Sequence, residues 1–192
     1  MKTELETVYS QQQLAKSVRS MGRAISRDYE GKTVDVVIML ENACVFAADL
    51  LRSISGRVVC HFVRAEVREI EFNGQNRREI YFGRTPRLEN RDVLVIDAVL
   101  QSGVTQDFLL RHLQESRPRS LRLAALFNKP GARRVNVQPD YFGFAAASKY
   151  LAGYGLAGSR GWYRNLPYVG VQPRRALAGA ASRRSARSGR AR

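Results

Sequence analysis

Apolar positions along this chain follow two different periods. Between residues 9 and 28, Leu14, Val18, Met21 and Ile25 recur at 4-3-4 spacing, the stripe of an amphipathic helix. Residues 34–40 form an almost unbroken apolar run, as expected of a strand covered on both faces of a parallel sheet. Residues 43–54 return to the helical period and end near Gly56, and residues 57–63 predict a second strand. This β-α-β order implies parallel pairing through a right-handed crossover.

The pattern then changes. Residues 66–72 and 77–82 alternate charged with apolar side chains around Asn73-Gly74, a strong hairpin signal that predicts an antiparallel flap with one polar face. Further on, the pattern predicts a strand at 92–97, a helix at 104–115 and strands at 121–127, 140–144 and 168–171. The expected fold class is α/β: a parallel sheet flanked by helices, an antiparallel flap hairpin, and a small hood from the terminal segments.

Composition adjusts this picture at the ends. The 192 residues suit one domain of ordinary size over residues 1–173. Seven of the fifteen excess positive charges fall in Arg174–Arg192, a stretch mainly of Arg, Ala, Ser and Gly without an acid. That tail is expected to be disordered and to offer a salt-dependent contact for nucleic acid. No run approaches the ~20 apolar residues of a membrane helix. The polar N-terminus has no secretory pattern, so no membrane partner and a cytoplasmic location are expected. Cys44 and Cys60 lie in apolar stretches without Cys-x-x-Cys spacing and predict buried free thiols.

Candidate chemistry lies where strands end. Residues 93–105 run from an apolar strand through Gln101-Ser102-Gly103 into a helix beginning near Val104 and Thr105. Such a turn holds phosphate, because backbone N–H groups there and at the helix N-terminus converge on one spot. Two further strand ends carry polar residues: Glu41-Asn42 after the first strand, and Asn128-Lys129-Pro130 after residues 121–127. In open α/β sheets, ligands sit beyond such ends.

Together these segments resemble the type I phosphoribosyltransferases, and specifically the bacterial hypoxanthine–guanine phosphoribosyltransferases, over residues 9–171. The matches are Ile25-Ser-Arg-Asp-Tyr29, Val45-Phe-Ala-Ala-Asp-Leu50, Pro139-Asp-Tyr-Phe-Gly-Phe144, and above all Gly153-Tyr-Gly-Leu156 followed by Tyr163-Arg-Asn-Leu-Pro-Tyr-Val-Gly170. The resemblance implies a divided site. Lys129 stands where the family's lysine meets the purine 6-oxo group. Tyr150 stands where an aromatic stacks on the base, and Leu151 where the backbone reads the base edge. Ser102, Gly103, Val104 and Thr105 match the 5′-phosphate cradle, and Asp97 a ribose-hydroxyl acceptor.

The catalytic half departs from the family. Ala98 replaces an acid beside the ribose, and Gln101 replaces the general-base aspartate. Ala157 replaces the metal-holding aspartate, so no protein metal ligand is expected there. Glu41-Asn42 replaces the Lys-Gly of the pyrophosphate loop, and one extra residue separates Ala157 from Arg164. Gln101 cannot titrate, yet its amide can donate to N7 of a finished purine nucleotide. Three functions follow as expectations. The first is a catalytically impaired homologue holding an IMP- or GMP-like nucleotide as sensor, regulator or partner subunit. The second is an active hypoxanthine/guanine transferase in purine salvage, using Mg²⁺ and releasing pyrophosphate. The third is a nucleic-acid-binding regulator on the same fold. No other cofactor is expected, the partner is a purine base or nucleotide, and the family resemblance implies a homodimer or homotetramer.

Overall fold

The computed structural model describes residues 5–72, 75–82, 86–146 and 150–171. The chain divides into two compact units, residues 15–148 and the pair of segments 1–14 and 149–192. The Asn73-Gly74 turn and the Arg174–Arg192 tail, both singled out above, lie outside the described residues.

The larger unit is built on a six-stranded sheet in the order β4-β3-β2-β5-β6-β7. Its strands are β2 (Thr33–Leu40), β3 (Arg57–Phe72), β4 (Gln75–Phe82), β5 (Asp92–Leu100), β6 (Ser120–Asn128) and β7 (Tyr141–Ala145). All neighbours pair in parallel except β3 and β4. β2 and β5 occupy the middle, and their apolar runs are buried along nearly their whole length. The helices are α1 (Gln11–Asp28), α2 (Cys44–Leu51) and α3 (Val104–Gln114). Ser10 and Gln13 open α1 with a reciprocal cap: the Gln13 N–H donates to Ser10 Oγ, and the Ser10 N–H donates to Gln13 Oε1. Gln106, Leu109 and Leu113 form the buried face of α3, and Leu109 and Leu113 join Val93, Val95 and Leu123 in one core cluster.

Two expectations need correcting here. The strand beginning at Arg57 does not stop at residue 63 but runs unbroken to Phe72, so the hairpin and the sheet share it. Its root is tied to α3, with the rings of Phe82 and Phe108 6.4 Å apart. The two thiols are exposed, not buried. Cys60 shares the outward face of β3 with Phe62, which is 63% exposed, and Cys44 faces out of the first turn of α2. An apolar run alone does not tell which side of an outer strand is covered.

The smaller unit holds a three-stranded sheet in the order β1-β9-β8, formed by β1 (Glu6–Tyr9), β8 (Leu151–Ala152) and β9 (Val169–Val171). It matches the expected hood of terminal segments. The hood's tightest point is Gly153, at φ +100°, where a Cβ would lie 2.1 Å from the Tyr168 carbonyl oxygen. No side chain fits there. Among the described residues, no helix is long and apolar enough to cross a membrane.

Candidate phosphate and base site

Sheet register builds the site. Leu100, the last residue of β5, pairs with Asn128, the last residue of β6. The loops leaving the two strands therefore start side by side. Backbone bonds fix them further: the Lys129 N–H donates to the Leu100 carbonyl at 2.9 Å, and the Arg134 N–H to the Ser102 carbonyl at 2.9 Å.

The first of these loops is the predicted phosphate turn. Gly103 caps α3 at φ +80°, a left-handed conformation, and a Cβ there would meet Val135 Cγ2 at 3.0 Å and Arg133 Cδ at 3.1 Å. Both facts favour glycine. The Val104 N–H donates to Ser102 Oγ at 3.4 Å, and the first helical bond runs from Asp107 N–H to the Gly103 carbonyl. The N–H groups of Thr105 and Gln106, in the first turn of α3, thus precede the intrahelical ladder and offer donors to an anion.

The second loop carries Lys129, which is buried, with Nζ 3.4 Å from Gln101 Oε1. Burial pulls this ammonium below its ordinary pKa. Gln101 is also held at its backbone, where Arg133 donates to its carbonyl at 3.0 Å. The same guanidinium donates to Asn128 Oδ1 at 2.5 Å, so Arg133 ties the end of β6 to the phosphate turn. Its Nε is buried without a partner.

The carboxylate of Asp97 is buried beneath the turn. One oxygen accepts the Ala98 N–H at 2.6 Å and the other the Gln106 side-chain amide at 2.5 Å. Burial raises its pKa to about 6, against the lowering effect of the Gln106 and backbone hydrogen bonds. Ala98 beside it is fully buried. Glu41, at the end of β2, lies 2.9 Å from Arg64 Nη2 on β3 in an exposed ion pair, and Asn42 follows it on the surface.

The remaining candidates belong to the smaller unit. Tyr150 is 55% exposed, and its hydroxyl donates to the Ala157 carbonyl at 3.0 Å. Leu151 is buried in β8. Arg164 donates to the Gly155 carbonyl at 2.6 Å, so this arginine is used at least in part to hold the hood loop.

The structure therefore brings Gln101–Thr105 and Lys129 together, and adds Asn128, Arg133 and Gln106. One of the additions carried a sequence signal. Gln106 continues the Leu109 and Leu113 stripe of α3 toward its N-terminus, and a polar residue on a buried stripe requires a buried partner. Arg133 and Asn128 had none beyond their nearness to Lys129.

This arrangement is a glycine turn at a helix N-terminus beside a buried lysine, at adjoining strand ends, and the comparisons with known proteins give it a family. Residues 4–156 match the model of the phosphoribosyl transferase domain. The chain belongs to that family. It is 31% identical over 166 residues to the bifunctional protein TilS/HprT of Listeria monocytogenes, covering 86% of this chain but only 26% of that relative's length. It is 27% identical over 172 residues to the hypoxanthine-guanine phosphoribosyltransferase of Bacillus subtilis, covering 89% of this chain and 95% of the relative. Among solved structures, the hypoxanthine phosphoribosyltransferase of Staphylococcus aureus superposes with a TM-score of 0.82 at 26% identity, over 92% of this chain and 98% of that one. The type I phosphoribosyltransferase fold expected from the sequence is the fold observed.

Proposed function

We propose that this chain is a 6-oxopurine phosphoribosyltransferase, joining hypoxanthine or guanine to phosphoribosyl pyrophosphate. In that reaction a ring nitrogen of the base bonds to the ribose anomeric carbon. The bond from that carbon to the diphosphate oxygen breaks, diphosphate leaves with the electron pair, and the base gives up a proton to water. The observation that carries the proposal is the meeting of the 101–105 turn with buried Lys129. The activities named for the full-length relatives support it and place transfer ahead of the non-catalytic reading that the substitutions alone favour.

In this reading the turn and the first N–H groups of α3 hold the 5′-phosphate. Lys129 donates to the purine 6-oxo group, which discriminates against a 6-amino group that has no acceptor to offer. In the hood, Tyr150 would stack on the base and Leu151 would read its edge. The family's reaction uses Mg²⁺, which prefers carboxylates and substrate oxygens. The side chains present do not fit a protein-held cation: Asp97 is turned inward onto Gln106, Glu41 is paired with Arg64, and Ala157 carries no donor. No group of three or more His, Cys, Asp or Glu side chains suited to a metal exists among the described residues. No step is therefore assigned to a metal held by this chain.

A second reading has its own support. Gln101 cannot accept a proton, and its amide suits the N7 acceptor of a finished nucleotide. The site would then hold IMP or GMP as a sensor, regulator or partner subunit, in an assembly of two or four copies. A role on nucleic acid rests on the Arg174–Arg192 tail alone.

One pair of measurements decides between the first two. The protein is incubated with hypoxanthine or guanine, phosphoribosyl pyrophosphate and Mg²⁺ while diphosphate release is followed, and IMP and GMP are titrated calorimetrically. Turnover supports transfer, and tight nucleotide binding without turnover supports the second reading. Neither turnover nor binding overturns both.

A further inference from the structure

The amino ends of the parallel strands enclose a second basic site. A recess of about 300 Å³ is lined by residues just before β2 (Gly31, Lys32), at the start of β3 (Arg57), just before and at the start of β5 (Asn90, Arg91, Asp92) and before β6 (Arg119). It lies at the opposite ends of the strands from the 101–105 turn. Nine strand residues at ~3.3 Å each put the two roughly 30 Å apart.

Four cations and one carboxylate line this recess, and with Asp35 behind Arg91 two positive charges remain in excess. Two of the cations are anchored from behind. Arg119 Nη1 contacts Asp92 Oδ2 at 3.0 Å, and Arg91 Nε contacts Asp35 Oδ2 at 2.7 Å. Both carboxylates are almost wholly buried, whereas the arginine side chains are 63% and 44% exposed. Asp92 is fixed in turn by Ser120 Oγ at 2.8 Å, and Asp35 by His61 Nε2 at 2.8 Å. Buried carboxylates that each take only part of a guanidinium hold it in place while its outer nitrogens stay available. Lys32 and Arg57 form no ion pair among the described residues, so their charges are not cancelled. Lys32 also lies 5.9 Å from the Tyr29 ring centroid, which limits where its chain can point.

A cation-rich recess with preset guanidinium forks, at the small end of the size range for ligand pockets, suits a compact polyanion rather than a whole nucleotide with its base. We propose that this recess binds a chain of two or three linked phosphates, either as a free inorganic polyphosphate or as the phosphate tail of a nucleoside triphosphate whose base stays outside. The site is separate from the phosphate turn and does not depend on the transferase reading.

The test is calorimetric, on the full chain at 0.15 M salt, with inorganic tripolyphosphate and with ATP as separate probes. The wild type, the Lys32→Ala/Arg57→Ala double variant and the Thr105→Ala variant are compared, with far-UV spectra and melting curves confirming that each is folded. The expected result is a saturable event with at least one probe that Lys32→Ala/Arg57→Ala weakens about tenfold or more and Thr105→Ala leaves unchanged. The tighter probe identifies the source of the phosphates. Binding that survives the double variant but is lost in Thr105→Ala would place the anion at the turn and overturn the proposal. Failure of both probes to bind would also overturn it, as would saturable binding to an RNA oligomer alone.

Discussion

The side-chain amide of Gln106 reaches Asp97 Oδ2 at 2.5 Å, directly beneath the turn that begins at Gln101. The contact joins the first turn of α3 to the end of β5 through two buried polar groups, and the same amide nitrogen lies 3.4 Å from the Val99 carbonyl. The phosphate turn thus rests on a largely buried polar support.

That support titrates. Burial raises the pKa of Asp97 from 3.8 to about 6, so the folded protein holds its proton more tightly than the unfolded chain does. Between about pH 4 and 6 the native state binds more protons, and stability falls as pH rises through this window, then levels off. Asp97→Asn removes the titration. Urea unfolding from pH 4.5 to 7.5 should show a decline on the order of 2–3 kcal/mol in the wild type, absent from the variant. Parallel curves for the two proteins would refute the assignment.

Gln101→Asp places a titratable carboxylate beside the Lys129 ammonium, where Gln101 Oε1 now lies 3.4 Å away. A positioned general base contributes about 10²–10⁴-fold in rate. Diphosphate release with hypoxanthine should therefore rise at least about tenfold in this variant. An unchanged or lower rate in a protein that still binds IMP would count against base assistance at this position.

Gly103→Ala adds a Cβ in a left-handed conformation and within 3.1 Å of both Val135 and Arg133. The backbone cost alone is about 1–2 kcal/mol, which corresponds to roughly 2–8 °C in Tm for a chain of this size. A melting curve within 1 °C of wild type would show that the turn relaxes without strain. Calorimetry should also show weaker binding of IMP, because the turn must shift.

Arg133→Lys keeps the charge but cannot bridge the Gln101 carbonyl and Asn128 Oδ1 as a planar fork does. We expect a stability loss of about 1 kcal/mol in urea unfolding and weaker IMP binding. A fully restored affinity in the lysine variant would mean that charge, not the fork, is what the site requires.

Glu41→Lys exchanges the exposed Glu41–Arg64 pair for two neighbouring cations. Exposed pairs contribute ~1 kcal/mol or less, so stability should hardly change. Inorganic pyrophosphate should bind more tightly to this variant than to the wild type in competition with IMP. Equal affinity would show that the end of β2 does not face the diphosphate.

Much of this was legible in the residues. The unbroken apolar runs of β2 and β5 marked the centre of a parallel sheet, and the alternation on either side of residues 73 and 74 marked the hairpin. β1 and β8 escaped notice because strands of four and two residues are too short to display a period. The thiols were misjudged for a related reason: β3 has one outward face, and nothing local in its sequence distinguishes that face from the covered one. At the site, the residues of the turn and Lys129 could be found from strand-end chemistry. The inward turn of Asp97 could not, since it depends on Gln106 nine positions later. Arg133 became a bridge only through the pairing of Leu100 with Asn128.

The continuity of β3 has a consequence for how chains of this design can differ in length. Residues 57–64 of this strand pair in parallel with β2, and residues 65–72 pair with β4 without a break in register. One residue gained or lost in the stretch paired with β2 would shift the register of the arm by one position. Growth or trimming is therefore confined to the far end of the hairpin, in matched pairs on both limbs.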